Sequence, residues 1–230
     1  MLKQFELVDE ILKALDKEGV LVNIIIVGSW CIYFYKHHFE EARILSNITT
    51  LDIDIDVNPL RKEKRKVNIS DILISLGFDL RFHGDGSISL IHPEIKAEFL
   101  VPEIGRPAHD PIKIPGFGIT AQPLRWLNLL EEEVITVDYK GMQVKVPHPA
   151  RFAVHKLIIS QRRIGRNPKV KKDIHQGIEV ARMLIEMGQA GKLNEIIGGL
   201  SLKQKKLVRK ALAGVDSSFI EKLLSNNGEV

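Results

Sequence analysis

Asp52, Asp54 and Asp56 occupy every second position of Leu51-Asp52-Ile53-Asp54-Ile55-Asp56-Val57. That alternation is the period of a β-strand, so the three carboxylates project from one face while Leu51, Ile53, Ile55 and Val57 project from the other. Neighbouring carboxylates on such a face stand about 6 to 7 Å apart, which leaves room for a divalent cation between their oxygens. Without a cation the row repels itself and resists desolvation. Two readings follow: a metal-holding face, or a strand with one solvated side.

Two further features bear on the choice. Gly28-Ser29 ends a β-branched run and opens a helical pattern. A glycine there allows close backbone approach to an anion, and the serine hydroxyl with the first amides of a helix can hold phosphate oxygens. Glu98 lies in a later alternating run, Ile95-Lys96-Ala97-Glu98-Phe99-Leu100, on the same face as Lys96. It is either a third acid for the same site or the partner of Lys96 in a salt bridge.

The elements that must position these residues are legible in outline. Phe5, Leu7, Val8, Ile11, Leu12 and Leu15 recur at helical spacing up to Gly19. Asn23–Val27 reads as a buried strand, Trp30–His38 as a helix and Leu51–Val57 as a strand. Ile69–Leu76 reads as a helix, Phe78–Phe82 as a strand, and Ser87–Ile91 with Ile95–Val101 as a hairpin. Pro102–Pro123, rich in proline and glycine, is expected to be a loop or domain edge. A short helix over Leu124–Leu130 precedes a hairpin of Val134–Tyr139 and Met142–Val146 turning at Lys140-Gly141. From His148 the pattern is helical almost to the end. The fold class expected is α+β: a mixed sheet over residues 1–147 followed by a mainly helical domain over 148–230.

In combination, Val27-Gly28-Ser29, Thr50-Leu51-Asp52-Ile53-Asp54-Ile55 and Glu98 resemble the nucleotidyltransferase superfamily that includes DNA polymerase beta. The Thr-x-Asp-x-Asp form, and the helix and loop between Tyr33 and Thr49, resemble the bacterial and archaeal subgroup related to abortive-infection type IV toxins. Val146-Pro147-His148-Pro149, Phe152–Leu157, Arg162-Arg163 and Lys172-Asp173 look like the helical half of that subgroup, so the likeness spans roughly Ile24 to Leu184. The resemblance implies transfer of a nucleoside monophosphate from ATP or another nucleoside triphosphate to an acceptor hydroxyl. It implies Mg²⁺ or Mn²⁺ held by Asp52, Asp54 and Glu98, with Asp54 and Asp56 as the fallback pair. It implies phosphate binding at Gly28, Ser29 and Lys156, and an Asp173 that holds the helical half together. Glu98 stands where the family more usually has an aspartate, and Asp56 adds an acid. The acceptors implied are RNA or tRNA, a protein or a small molecule, and the toxin relatives imply an antitoxin partner. The alternative is a catalytically silent module of the same fold that binds nucleotide or RNA.

Composition sets the outer bounds. The 230 residues are 44% hydrophobic and 27% charged, values of a globular chain rather than a disordered one. A single cysteine, Cys31, excludes a disulfide framework and paired-thiolate zinc. The longest apolar run, Leu21–Val27, is too short to span a bilayer. The first residues, Met1 to Gly19, are acidic and amphipathic, unlike a signal peptide. A soluble, cytoplasmic protein without membrane attachment is expected. A net charge of +4 says little by itself, but basic residues gather in Arg61–Lys66, Arg162–Lys172 and Lys203–Lys210. These are either solvated faces or contacts for phosphates of a nucleotide or RNA. The eight histidines show no repeated metal-ligand spacing, and Trp30, Tyr33, Phe34 and Trp126 read as core before they read as base-stacking platforms.

Overall fold

The computed structural model describes residues 2–39, 50–57, 67–103, 105, 110–163 and 168–224. Contacts divide the chain into two compact units, one of Met1–His38 with Ile48–Pro147 and the other of His148–Val230 with Phe39–Asn47. The fold is α+β.

The first unit is built on a mixed sheet. In chain order it contains α1 (Leu2–Lys17), β1 (Ile25–Val27), α2 (Trp30–His38), β2 (Asp52–Asp56), α3 (Ile69–Ser75), β3 (Asp79–Phe82), β4 (Ile88–Ile91) and β5 (Lys96–Pro102). There follow β6 (Ile112–Ile114), β7 (Ile119–Leu124), α4 (Asn128–Glu131), β8 (Val134–Tyr139) and β9 (Met142–Pro147). The strand order is β1-β2-β5-β4-β3, with β7 beside β5 and β6 beside β7, while β8 and β9 form a separate ribbon. β1 is buried at all three positions, which is why its sequence shows no alternation.

The register of β2 matters most for the site. It runs antiparallel to β1, with Val27 opposite Asp54 and Ile25 opposite Asp56. It runs parallel to β5, with Asp52 opposite Lys96, Asp54 opposite Glu98 and Asp56 opposite Leu100. Bonds beyond the strand ends fix this pairing: Lys96 N donates to Leu51 O at 2.7 Å and Val57 N to Leu100 O at 3.0 Å. Ile53, Ile55 and Val57 are fully buried on the opposite face, so a one-residue slip would put carboxylates into the core.

The segment Pro102–Pro123, expected to be a loop, contains strands β6 and β7. Its punctuation is that of a hairpin: Ile112 pairs with Ala121 and Ile114 with Ile119, around a turn at residues 115–118 that contains Pro115, Gly116 and Gly118. Buried Ile119, Thr120 and Ala121 anchor β7, which continues the edge of β5 where β4 ends. The helix expected over Leu124–Leu130 shortens to α4, and the strand expected from Asn23 begins at Ile25 after a 3-10 turn over Leu21–Asn23.

The second unit is helical: α5 (Pro149–Ser160), α6 (Pro168–Glu186), α7 (Ala190–Gly199), α8 (Leu202–Ala211) and α9 (Ser217–Leu224). His148 caps α5 by accepting from Ala150 N at 3.2 Å, with Pro149 in the first turn. α5 is its central helix, buried at most positions. Gly177 lets α6 come close, since a Cβ there would stand 3.0 Å from Ala153 O. Asp173 of α6 binds Lys156 Nζ at 2.8 Å and Arg163 Nε at 2.6 Å. Burial alone would raise the Asp173 pKa, yet the charges and hydrogen bonds of Lys156 and Arg163 hold it below the ordinary carboxylate value. Burial, helped by Lys156, pushes neighbouring His155 down to about 3, so its imidazole is neutral. Among the described residues no helix is long and apolar enough to cross a membrane.

The buried pair gives a stability prediction. Asp173→Ala strands the Lys156 ammonium and is expected to cost about 3 to 5 kcal/mol in denaturant unfolding. Replacing both partners, Lys156→Met with Asp173→Leu, is expected to recover most of that loss. Because the folded-state pKa of Asp173 is depressed, the pair's contribution is present above about pH 4 and lost as the pH falls through the lower folded value. Asp173→Asn should therefore flatten the acid limb of the stability curve, and an unchanged limb would refute the linkage.

Candidate active site

Gly28 follows β1 and precedes α2, with φ +69°. The turn is tight: Cys31 N donates to Gly28 O at 3.3 Å and Ile32 N to Ser29 O at 3.2 Å. A Cβ on Gly28 would lie 1.8 Å from Asp54 Oδ2 and 2.8 Å from Asp54 Cγ. The glycine is thus required twice, by its left-handed backbone and by the carboxylate packed against its Cα. Ser29 is buried at the mouth of this turn.

Asp52 and Asp54 are half-buried, whereas Asp56 is fully buried. Asp56 lies in register between Ile25 and Leu100, and both of these belong to or pack on an apolar cluster with Leu127 and Leu130. The cluster also includes Val27, which stands opposite Asp54.

Glu98 shares this face. It stands directly opposite Asp54 across a strand spacing of about 4.8 Å. Its carboxylate accepts from Lys96 Nζ at 2.7 Å, so the salt bridge and the shared face hold together. Among the described residues no group of three His, Cys, Asp or Glu side chains is placed to hold a metal ion, so Asp52, Asp54 and Glu98 share a face without converging as a metal-binding triad. The register supplies a reason: Lys96 stands opposite Asp52 and draws Glu98 to itself. The donor set, hard carboxylate oxygens on two adjacent strands beside a glycine cradle, still fits Mg²⁺ or Mn²⁺.

Lys156 belongs to the helical unit, where it is buried on Asp173. The structure gives it a carboxylate partner there; a phosphate role would require it to leave that partner. Of the basic clusters, Arg61–Lys66 lies outside the described residues, while Lys203, Lys206, Arg209 and Lys210 of α8 are exposed. Trp30, Tyr33 and Phe34 pack in the core with Phe5 and Tyr139. Trp30 also has a role the sequence does not show. Its indole N–H donates to Asp52 O at 3.1 Å, where β1 no longer reaches β2. No sequence spacing links positions 30 and 52; only the β1–β2 pairing brings them together.

The structure thus places a Gly-Ser turn against one of two half-exposed strand carboxylates, with a third acid on the adjacent parallel strand. Residues 6–196 match the family model described as nucleotidyltransferase, and the chain belongs to that family. One solved structure, an antigenic nucleotidyltransferase-like protein from Paracoccidioides brasiliensis, is similar at 15% identity and a TM-score of 0.48. That likeness covers 94% of this chain and 92% of the other. No curated protein matches the chain.

The Gly28 contact gives a prediction about coupling. Gly28→Ala is expected to push the Asp54 carboxylate aside and to cost about 1 to 3 kcal/mol, part of it from the left-handed backbone. In an Asp54→Ala background the steric part disappears, so the two substitutions should be less than additive in thermal or denaturant unfolding. Full additivity would show that the side chains do not meet.

Proposed function

We propose that this chain transfers a nucleoside monophosphate from a nucleoside triphosphate to an acceptor hydroxyl, using Mg²⁺ or Mn²⁺ held by Asp52, Asp54 and Glu98. The observation that carries the reading is Asp54 packed on Gly28 with Glu98 opposite it in register. Bound there, the two ions would neutralise phosphate charge and the oxygens that attack and leave. The chain's own residues supply the rest. Asp52 and Asp54 orient the phosphate chain on the carboxylate face. The Gly28-Ser29 turn and the start of α2 would receive the β- and γ-phosphates. Glu98 faces the acceptor hydroxyl and receives or weakens its proton. The acceptor oxygen forms the new bond to the α-phosphorus, and the bond to the β-phosphate oxygen breaks with release of pyrophosphate. The Thr50-x-Asp52-x-Asp54 form and the exposed lysines of α8 support RNA as the first acceptor to try and a relationship to the toxin-like subgroup. An antitoxin partner belongs to that same reading.

One observation favours a second reading. Lys96 already neutralises Glu98, as it would in a silent member that binds nucleotide without transferring it.

The test is incubation of the protein with each α-labelled nucleoside triphosphate, Mg²⁺ or Mn²⁺, and total cellular RNA. Label is expected to move to an acceptor, and Asp52→Ala or Asp54→Ala to lower transfer at least about a thousandfold. Melting temperatures should stay within a few degrees, because neither half-exposed carboxylate supports apolar packing. Metal-dependent nucleotide binding without transfer would favour the silent module, and absence of both would overturn the proposal.

A further inference from the structure

Lys96 is placed beside two carboxylates of the site, Asp52 and Glu98. It stands opposite Asp52 in the β2–β5 register, two residues before Glu98 on the same strand face. Its ammonium donates to Glu98 Oε1 at 2.7 Å, and the two side chains are 38% and 36% exposed. Half-exposed ion pairs are weak, because water competes for both partners. The pair is therefore one that a stronger counter-ion can open cheaply.

We infer that Lys96 is the internal counter-ion of the carboxylate face and passes from Glu98 to the phosphate chain of the incoming nucleotide. In the free protein it occupies Glu98, so a bare divalent cation meets a competing charge there. A triphosphate gives the ammonium another anion and leaves Glu98 open. Lys96 thereby favours metal arriving with nucleotide over metal arriving alone. The inference rests on the transferase reading.

The test needs no turnover. Mn²⁺ binding is measured in nucleotide-free buffer by electron paramagnetic resonance, and binding of a non-hydrolysable nucleoside triphosphate in metal-free buffer by calorimetry. Lys96→Met is compared with Lys96→Arg, which keeps the charge, and with Lys13→Met, an exposed lysine on α1 that controls for net charge. Lys96→Met is expected to bind Mn²⁺ about three- to tenfold more tightly and the triphosphate about three- to tenfold more weakly, the size of one neighbouring charge at intermediate dielectric. Lys96→Arg and Lys13→Met should leave both nearly unchanged. A structural role moves both affinities the same way or neither, so unchanged affinities, a shift in one alone, or shifts in the same direction overturn the inference and leave the transferase reading standing. If the unaltered protein binds neither Mn²⁺ nor the triphosphate, both fall.

Discussion

Acids aligned on one face of a five-residue strand repel one another, and the architecture around β2 is a set of answers to that repulsion. Moving the strand so that its acids face away from Gly28 would bury them among Ile53 and Ile55, which costs more than leaving them in half-wet space. The opposite face therefore holds the register, and the carboxylates take whatever environment that register gives. Asp54 meets a glycine with no Cβ, Asp52 meets Lys96 across the strand pair, and Asp56 goes under the apolar cluster of Leu127 and Leu130. Three chemically identical residues thus acquire three different surroundings within one strand.

The same logic separates what holds the site from what does its chemistry. Trp30 is fully buried and contributes packing against Phe5 and Tyr33, yet its indole N–H also completes the backbone of β2 at Asp52. α2 and β2 are in this way tied at the very residue whose side chain faces the site. Tyr139 extends the tie to α1, donating to Asp9 at 2.6 Å and meeting the Tyr33 hydroxyl at 2.8 Å. These bonds hold the first helix, the second helix and the β8–β9 ribbon around the Gly-Ser turn. Asp52 and Asp54 themselves are half-exposed and bring no apolar packing to the fold.

In the helical unit the buried charges are paired instead of exposed. Lys156 sits on α5 among apolar residues, and only the Asp173 carboxylate, shared with Arg163, makes that burial tolerable. The two units accommodate ionised carboxylates in two ways: Asp173 is buried and shared between two cations, whereas Glu98 stays half-solvated beside Lys96. The first rigidifies; the second allows exchange.

The sequence alone determined the strand carrying Asp52, Asp54 and Asp56, the Gly-Ser break, the boundaries of α2 and the ribbon of β8 and β9, because each is written in a local period or turn signal. The α+β class followed from the change in period after Pro147. It was less informative over Pro102–Pro123, where two three- to six-residue strands are hidden by the proline and glycine of their own turns. It left open which pair of aspartates faces the site and whether Glu98 serves the site or Lys96. Tertiary structure supplies what bears on those points, the exposure of each aspartate and the bond between Lys96 and Glu98. The distance of Gly28 from Asp54, the pairing of Asp54 with Glu98, the burial of Asp56 and the partner of Lys156 all depend on residues dozens of positions apart, and no local period encodes which strands become neighbours.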